Sequence, residues 1–254
     1  MKILSPQAIV VGLETVNLDD FPDLKVIGCN MTGTEHLPWD EINKRGIKVV
    51  SLKEYPKFLK EITSTAEHTI GLIISILRNY RIALNPPYQD REIYKGFVMR
   101  DKKLGLIGGR GRIGKQVKKM AEGLGMKVQT HDENDSRKYL NFLLQDSDIV
   151  SIHIPLPGNE GFFTKEMFGL MKPTAYLLNT SRNGVIEEGA LLWALQNGII
   201  KGAGIDFIDD EDLVEYNRTQ NNLILTNHIG GITHEDRKKT EDFIINEVTK
   251  WLSK

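Results

Sequence analysis

Short apolar runs alternate with polar, periodic stretches along almost the whole chain. Ala8 to Val11, Leu24 to Ile27 and Ile47 to Val50 are β-rich runs, and Trp39 to Arg45 between the last two predicts a helix closed by Gly46. Ser64-x-x-Glu67 reads as a capping box opening a helix from Thr65 to about Leu84, ended by Asn85-Pro86-Pro87. That helix is apolar on most faces (Ile70, Leu72, Ile73, Ile74, Ile76, Leu77), which predicts burial between domains or subunits. Tyr88 to Arg100 is polar with scattered aromatics and suits an extended arm.

The second half repeats one rhythm. Leu104 to Ile107 is a strand, and Ile113, Val117, Met120, Ala121 and Leu124 mark one helical face, stopped by Gly123 and Gly125. Strands are expected at Lys127 to Thr130, Asp148 to Ile154, Ala175 to Leu178, Ala203 to Ile205 and Leu223 to Thr226. Helices are expected at Lys165 to Met171, Glu187 to Asn197 and about Glu235 to Leu252, the last returning to the N-terminal unit. Asp209 to Asn222 reads as a polar surface loop. Such alternation implies a parallel sheet with right-handed crossovers.

Between the first strand and helix of this half lies Gly109-Arg110-Gly111-Arg112-Ile113-Gly114, a G-x-G-x-x-G. Its glycines permit a tight turn and close approach to a pyrophosphate, whose charge free N–H groups at the helix start would stabilise. Asp132, at the tip of the next strand, can accept hydrogen bonds from an adenosine ribose. The motif alone is weak; strand, glycines, amphipathic helix, strand and acid in this order predict dinucleotide binding. Asp132 would repel a 2′-phosphate and residue 133 is Glu, which favours NAD over NADP.

Composition narrows the partners. A formal charge of −1 supplies no global field for nucleic acid or a membrane surface. Eight Lys/Arg fall among the twenty residues from Arg100 to Lys119, but they sit on the outer face of the glycine-loop helix without an aromatic stacking platform. Arg110 and Arg112 could touch the pyrophosphate. Cys29 is the only cysteine, so there is no disulfide framework. The N-terminal apolar run is too short for a signal peptide, and the longest apolar run, Ile70 to Leu77, is far short of a membrane span. The expectation is a soluble, cytoplasmic protein. The six histidines show no H-x-x-x-H or H-E-x-x-H pairing, so no metal site is expected. His153, at a strand end before Pro155, is placed to line the cofactor cleft, whereas His68 reads as structural.

In open parallel sheets ligands bind beyond the carboxyl ends of the strands. Arg182, Asp206 and His228 each follow such an end, and Glu211 comes five residues after Asp206. Singly, a strand-end histidine is a local hydrogen-bonding group and Arg182 a surface ion pair. Together they suit hydride transfer to a carbonyl beside a carboxylate. Arg182 would fork onto the carboxylate, His228 would supply the alkoxide's proton, and Glu211 would favour and orient the imidazolium.

With these residues in place, the chain resembles the D-isomer-specific 2-hydroxyacid dehydrogenase family, which includes D-3-phosphoglycerate dehydrogenase, over nearly its whole length. The motifs are Ser64 to Thr69, the glycine loop with Asp132 eighteen residues after Gly114, Ser147 to Leu156, Met171-Lys172-Pro173, Asn179-Thr180-Ser181-Arg182, Gly202 to Asp206 and His228-Ile229-Gly230-Gly231. The resemblance implies a Rossmann-type dinucleotide domain (67–236) plus a smaller, truncated flavodoxin-like α/β substrate domain (1–66 with 237–254). By it Arg182 binds substrate, His228 is the acid/base, Glu211 its partner and Asp206 a contact of the nicotinamide end. Thr32 and Gly33, within Met31-Thr32-Gly33-Thr34, meet the substrate carboxylate through backbone N–H groups, and His153, Pro155, Thr180, Ser181 and Gly230 join the cofactor site. A homodimer through the Thr65 helix and the arm is implied as well.

Four departures stand out. The first strand and helix usual in the family before Gln7 to Val11 are absent, and the glycine loop carries one extra residue. Asn183 follows Arg182 where glycine is usual, and Asp212 follows Glu211 where proline is usual, with a short loop on to His228. The expected reaction is reversible reduction of a small 2-oxo acid to its D-2-hydroxy acid with NAD. A non-catalytic NAD(H)-binding sensor or scaffold of the same fold is the alternative.

Overall fold

In the computed structural model, which describes residues 1–84 and 90–253, the chain forms two compact units. Unit 1 comprises Met1–Ile62 with Gly231–Lys254, and unit 2 comprises Thr63–Gly230. The sequence placed the divisions at 66/67 and 236/237, positions that would cut two helices starting at Ser64 and His234.

Unit 1 opens with β1 (Lys2–Ser5), β2 (Ala8–Val11) and β3 (Val26–Cys29), then α1 (Trp39–Arg45), β4 (Lys48–Ser51) and α2 (Pro56–Leu59). Gly46, at φ 63°, ends α1. The sheet order is β1-β2-β3-β4; β2, β3 and β4 are parallel and β1 is an antiparallel edge that the apolar pattern did not reveal. Lys2–Ser5 is partly exposed, so no continuous apolar run marks it. The central strands are buried on both faces, which is why they read as unbroken apolar runs.

Unit 2 begins with α3 (Ser64–Leu77) and α4 (Tyr80–Ala83). One helix to Leu84 was expected. The chain instead breaks at Asn79, which takes a left-handed φ of 52° and donates its side-chain N–H to the Lys95 carbonyl at 2.6 Å. The expected stop at 85–87 lies outside the described residues. Ser64 is the first helical residue rather than the cap; Thr63 precedes it, and its hydroxyl donates to Glu67 at 2.6 Å. Ala66, Ile70, Ile73 and Leu77 pack with Leu104, Leu106, Val117, Ala121 and Leu178, so α3 is buried within unit 2, on its own sheet and the glycine-loop helix.

That sheet follows as β5 (Lys103–Ile107), α5 (Arg112–Gly123), β6 (Lys127–His131), α6 (Arg137–Asp146), β7 (Ile149–Ile152), α7 (Lys165–Leu170), β8 (Tyr176–Asn179), α8 (Ala190–Gln196), β9 (Gly202–Ile205), α9 (Glu211–Thr219) and β10 (Leu223–Leu225). The strand order is β10-β9-β8-β7-β5-β6, all parallel. From β5 the chain goes to one side for β6 and to the other for β7, so the switch point lies beside the glycine loop. The second face of the sheet is covered by Leu140, Leu143, Leu144, Phe163, Phe168, Leu191 and Leu195.

The expected loop Asp209 to Asn222 contains α9. Asp210 caps it by accepting from Leu213 N at 3.0 Å, acids occupy its first turn, and Leu213 is buried. The final helix, α10 (His234–Leu252), returns to unit 1, where Ile244 and Val248 cover Ala8, Val10, Val26 and Val50. Among the described residues no helix is long and apolar enough to cross a membrane.

Candidate active site

The glycine loop leaves β5 through Gly108, at φ 82°, whose N–H donates to His131 O at 2.8 Å. Gly111 is the N-cap of α5, and its N–H reaches back to Gly108 O at 3.1 Å. A Cβ on Gly114 would fall inside contact distance of Gly108 O and lie 2.6 Å from Gly109 Cα, so only glycine lets α5 start this close to the loop. No side chain caps the first turn of α5, so its N–H groups present partial positive charge. His153 closes the far wall: its backbone N–H donates to Ile107 O at 2.8 Å, and its ring Nε2 lies 2.9 Å from Ser151 Oγ. Desolvation pushes the His153 pKa down to about 4, so its ring is neutral at physiological pH. Pro155, exposed, accepts from Asn159 through its carbonyl at 3.0 Å.

Asp132 follows β6 and accepts from Arg110 N at 3.0 and 3.1 Å through its two oxygens. Arg110 turns its guanidinium outward from the loop: Nη2 lies 2.8 and 2.9 Å from the oxygens of Asp135.

At the other end of this edge, β8 delivers Asn179, fully buried. Its Oδ1 accepts from Ser181 N at 2.9 Å and Ser181 Oγ at 2.7 Å, while its Nδ2 donates to Arg182 O at 2.9 Å. One amide therefore shapes the Thr180-Ser181-Arg182 turn. Thr180 Oγ1 lies 2.9 Å from Thr69 Oγ1, tying the turn to α3. Arg182 is half-buried and donates Nη1 to Ser181 O at 2.9 Å.

Asp206, after β9, is 3% exposed and accepts four hydrogen bonds or close polar contacts. Thr226 Oγ1 donates to it at 2.6 Å, Ile229 N at 2.9 Å and Gly230 N at 2.7 Å, and His68 Nε2 stands 3.4 Å away. His68 Nε2 is also 3.0 Å from Thr226 Oγ1, so a protonated Nε2 extends the chain His68, Thr226, Asp206. Burial alone would raise the Asp206 pKa, but these donors outweigh it and bring the pKa down to about 2. The carboxylate thus clamps the two peptides that follow His228, which itself takes a left-handed φ of 51° and leaves its side chain exposed.

Arg182, Glu211 and His228 share no hydrogen bond among the described residues. Glu211 is the exposed first residue of α9 and lines an open groove of about 650 Å³ with Asn183, Glu187 and Asp209, in which Arg182 and His228 take no part. In unit 1, Thr32 is exposed and Gly33 half-buried in the irregular loop after β3.

Comparison with known proteins decides the family. Residues 70–230 match the D-isomer specific 2-hydroxyacid dehydrogenase, NAD binding domain. The chain belongs to this family. A glyoxylate reductase of Thermococcus litoralis is 32% identical over 255 residues, covering 89% of this chain and 73% of that protein. A glycerate dehydrogenase of Methylorubrum extorquens is 30% identical over 262 residues, covering 96% and 81%. The crystal structure of D-lactate dehydrogenase from Aquifex aeolicus complexed with NAD and lactic acid superposes with a TM-score of 0.75 at 27% identity, covering 97% of this chain and 83% of that one.

As a D-2-hydroxyacid dehydrogenase the protein is an NAD-dependent oxidoreductase. Its residues fit that cofactor: Gly111 and Gly114 leave room at the start of α5 for a pyrophosphate, and Asp132 keeps its carboxylate at the mouth of the loop. The sequence reading did not single out three groups that organise this dehydrogenase. They are Asn179, Asp135 and the pairing of His68 with Asp206. Asp135 had a local signal, an acid three residues beyond Asp132 in a turn; the pair has none, because 138 residues separate its members.

Proposed function

We propose that this dehydrogenase interconverts a small 2-oxo acid and its D-2-hydroxy acid, with His228 as acid/base. The observation that carries the reading is the Asp206 clamp. A buried carboxylate holds the turn after His228 so that a left-handed histidine presents an exposed imidazole at the carboxyl edge of the sheet. NADH, when bound, supplies a hydride to the substrate carbonyl carbon. His228 gives the proton that converts the resulting alkoxide to the hydroxyl, and takes it back in the reverse direction. Arg182, which donates Nη1 to Ser181 O in the turn built by Asn179 and whose Nη2 has no bond to a described residue, binds the substrate carboxylate with its planar fork. Glu211 acts as the carboxylate partner of His228, a pairing the two do not make in this structure, where Glu211 lines a separate groove.

In unit 1, the N–H groups of Thr32 and Gly33 in the loop after β3 donate to nothing else among the described residues and by themselves suit a carboxylate. On this reading unit 1 is the substrate domain. A homodimer accords with the exposed apolar side chains of α4 and the segment after it, Tyr80, Leu84, Ile93, Phe97 and Val98. The one buried free thiol, Cys29, suits a reducing compartment, and we place the protein in the cytoplasm.

The test is NADH oxidation with glyoxylate, pyruvate, hydroxypyruvate and 2-oxoglutarate, beside His228→Ala. Turnover that vanishes in the variant supports the assignment. Turnover unaffected by the variant removes His228 from the chemistry. NADH binding without turnover on any of the four acids favours the sensor reading.

A further inference from the structure

Asp132 and Asp135 face one guanidinium across the glycine loop. The tight turn Asp132-Glu133-Asn134-Asp135 is closed by Asp135 N donating to Asp132 O at 2.9 Å and Asp132 N donating to Asp135 Oδ2 at 2.9 Å. This puts the Asp135 carboxylate where it takes Arg110 Nη2 at 2.8 and 2.9 Å, while Arg110 Nε stands 3.7 Å from Asp132 Oδ2. The Arg110 side chain is 55% exposed and the Asp135 side chain only 19%, so the acid is the more enclosed partner. Each holds the other charged: the Asp135 bond raises the Arg110 pKa, and the Arg110 bond lowers that of Asp135.

We infer that Asp135 is a selectivity residue of the NAD site, which by holding Arg110 keeps that guanidinium away from a 2′-phosphate and commits the ribose end to NAD. The turn carries three carboxylates, Asp132, Glu133 and Asp135, against the one guanidinium of Arg110, so the place that would hold the ribose is net negative. A 2′-phosphate brings almost two more negative charges to that place. Arginine is the side chain best suited to receive it, and one lies next to Asp132, already engaged. Neutralising Asp135 changes both terms: one negative charge is removed and the planar fork is released. Asp132 remains able to accept from a ribose hydroxyl, because a single backbone N–H occupies its carboxylate. The basic residues on the neighbouring helix do not duplicate Arg110, since Arg137 starts α6 and interacts electrostatically with Glu166.

The inference needs only the family's NAD site and stands apart from the substrate reading, so it is tested by binding rather than turnover. Fluorescence titrations with NADH and with NADPH compare the wild type, Asp135→Asn and the double variant Arg110→Ala/Asp135→Asn. Asparagine keeps an acceptor for Asp132 N and removes the charge. The double variant restores the wild-type net charge without the guanidinium. In Asp135→Asn the NADPH dissociation constant is expected to fall roughly fivefold to tenfold, the range for one exposed charge-assisted contact, with NADH within about twofold. The double variant is expected to lose that gain. An unchanged NADPH constant in Asp135→Asn overturns the inference, as does a gain that survives in the double variant. A parallel loss of both cofactors overturns it too, because it reduces Asp135 to a support of the turn.

Discussion

The carboxyl edge of the unit 2 sheet is built in two opposite ways. At the β5–β6 end the charges are spoken for: Arg110 is shared between Asp132 and Asp135, and His153 is neutral against Ser151. At the β8–β10 end Arg182, Glu211 and His228 hold no bond to one another, while Asn179 and Asp206 are buried and bonded to the neighbouring turns. The contrast follows from what each end must do. A cofactor pocket gains affinity by being formed in advance. Groups that move a proton or grip a transient charge must keep their polar atoms free, so rigidity is supplied one layer down.

The largest expected effect tests the free end. His228→Ala should lower kcat by roughly a hundredfold to ten-thousandfold with NADH affinity kept, as stopped-flow and binding measurements would read. Loss of NADH binding in that variant would merge the two ends and break the contrast.

Asp206→Asn tests the layer beneath. The Asp206 pKa lies at about 2, below its unfolded value near 3.9, so its contribution is fully present above that unfolded value and is lost as pH falls through the folded one. A shift of this size is worth about 2.5 kcal/mol at neutral pH. Urea unfolding at pH 7 should show the variant less stable by that order, and the gap should close between about pH 5 and pH 2. A gap that does not change with pH would mean that the carboxylate charge is not what clamps the His228 turn.

Gly114→Ala perturbs the preformed end. The added methyl meets backbone that no side-chain rotation can clear, so a loss of about 1–3 kcal/mol in stability is expected with weaker NADH binding. Normal affinity would show that the loop is pliable. The smallest effect belongs to Asp210→Ala, which removes the α9 cap beside Glu211 and should cost about 1 kcal/mol. Activity falling further than stability in this variant would indicate that the position of α9 sets the placement of Glu211.

Much of the molecule is legible in the linear chain. The central parallel strands of both units appear as apolar runs because both of their faces are covered, and α5 appears through its one-sided periodicity. Where local signals competed, reading failed. Apolar content carried the expected helix past Asn79, and polarity hid α9 although Asp210, the first-turn acids and Leu213 mark its start. The β1 edge strand was missed because a half-exposed strand needs no apolar run.

Local pattern in the chain places most of the strands and helices in order, the glycine loop and the chemical types at the strand ends. These are properties of neighbours in the chain: backbone freedom, periodicity and charge at fixed spacing. Only the tertiary structure decided which of those groups are spent on the fold and which are left for ligands. Asp206, expected at the nicotinamide end, also anchors the His228 turn and is joined by His68 from a helix 138 residues earlier. Arg110, placed by the sequence where it could touch a pyrophosphate, bonds Asp135 through its guanidinium. Hydrogen-bond valence is finite and is shared among groups that meet only after folding, so the partition cannot be read from spacing alone.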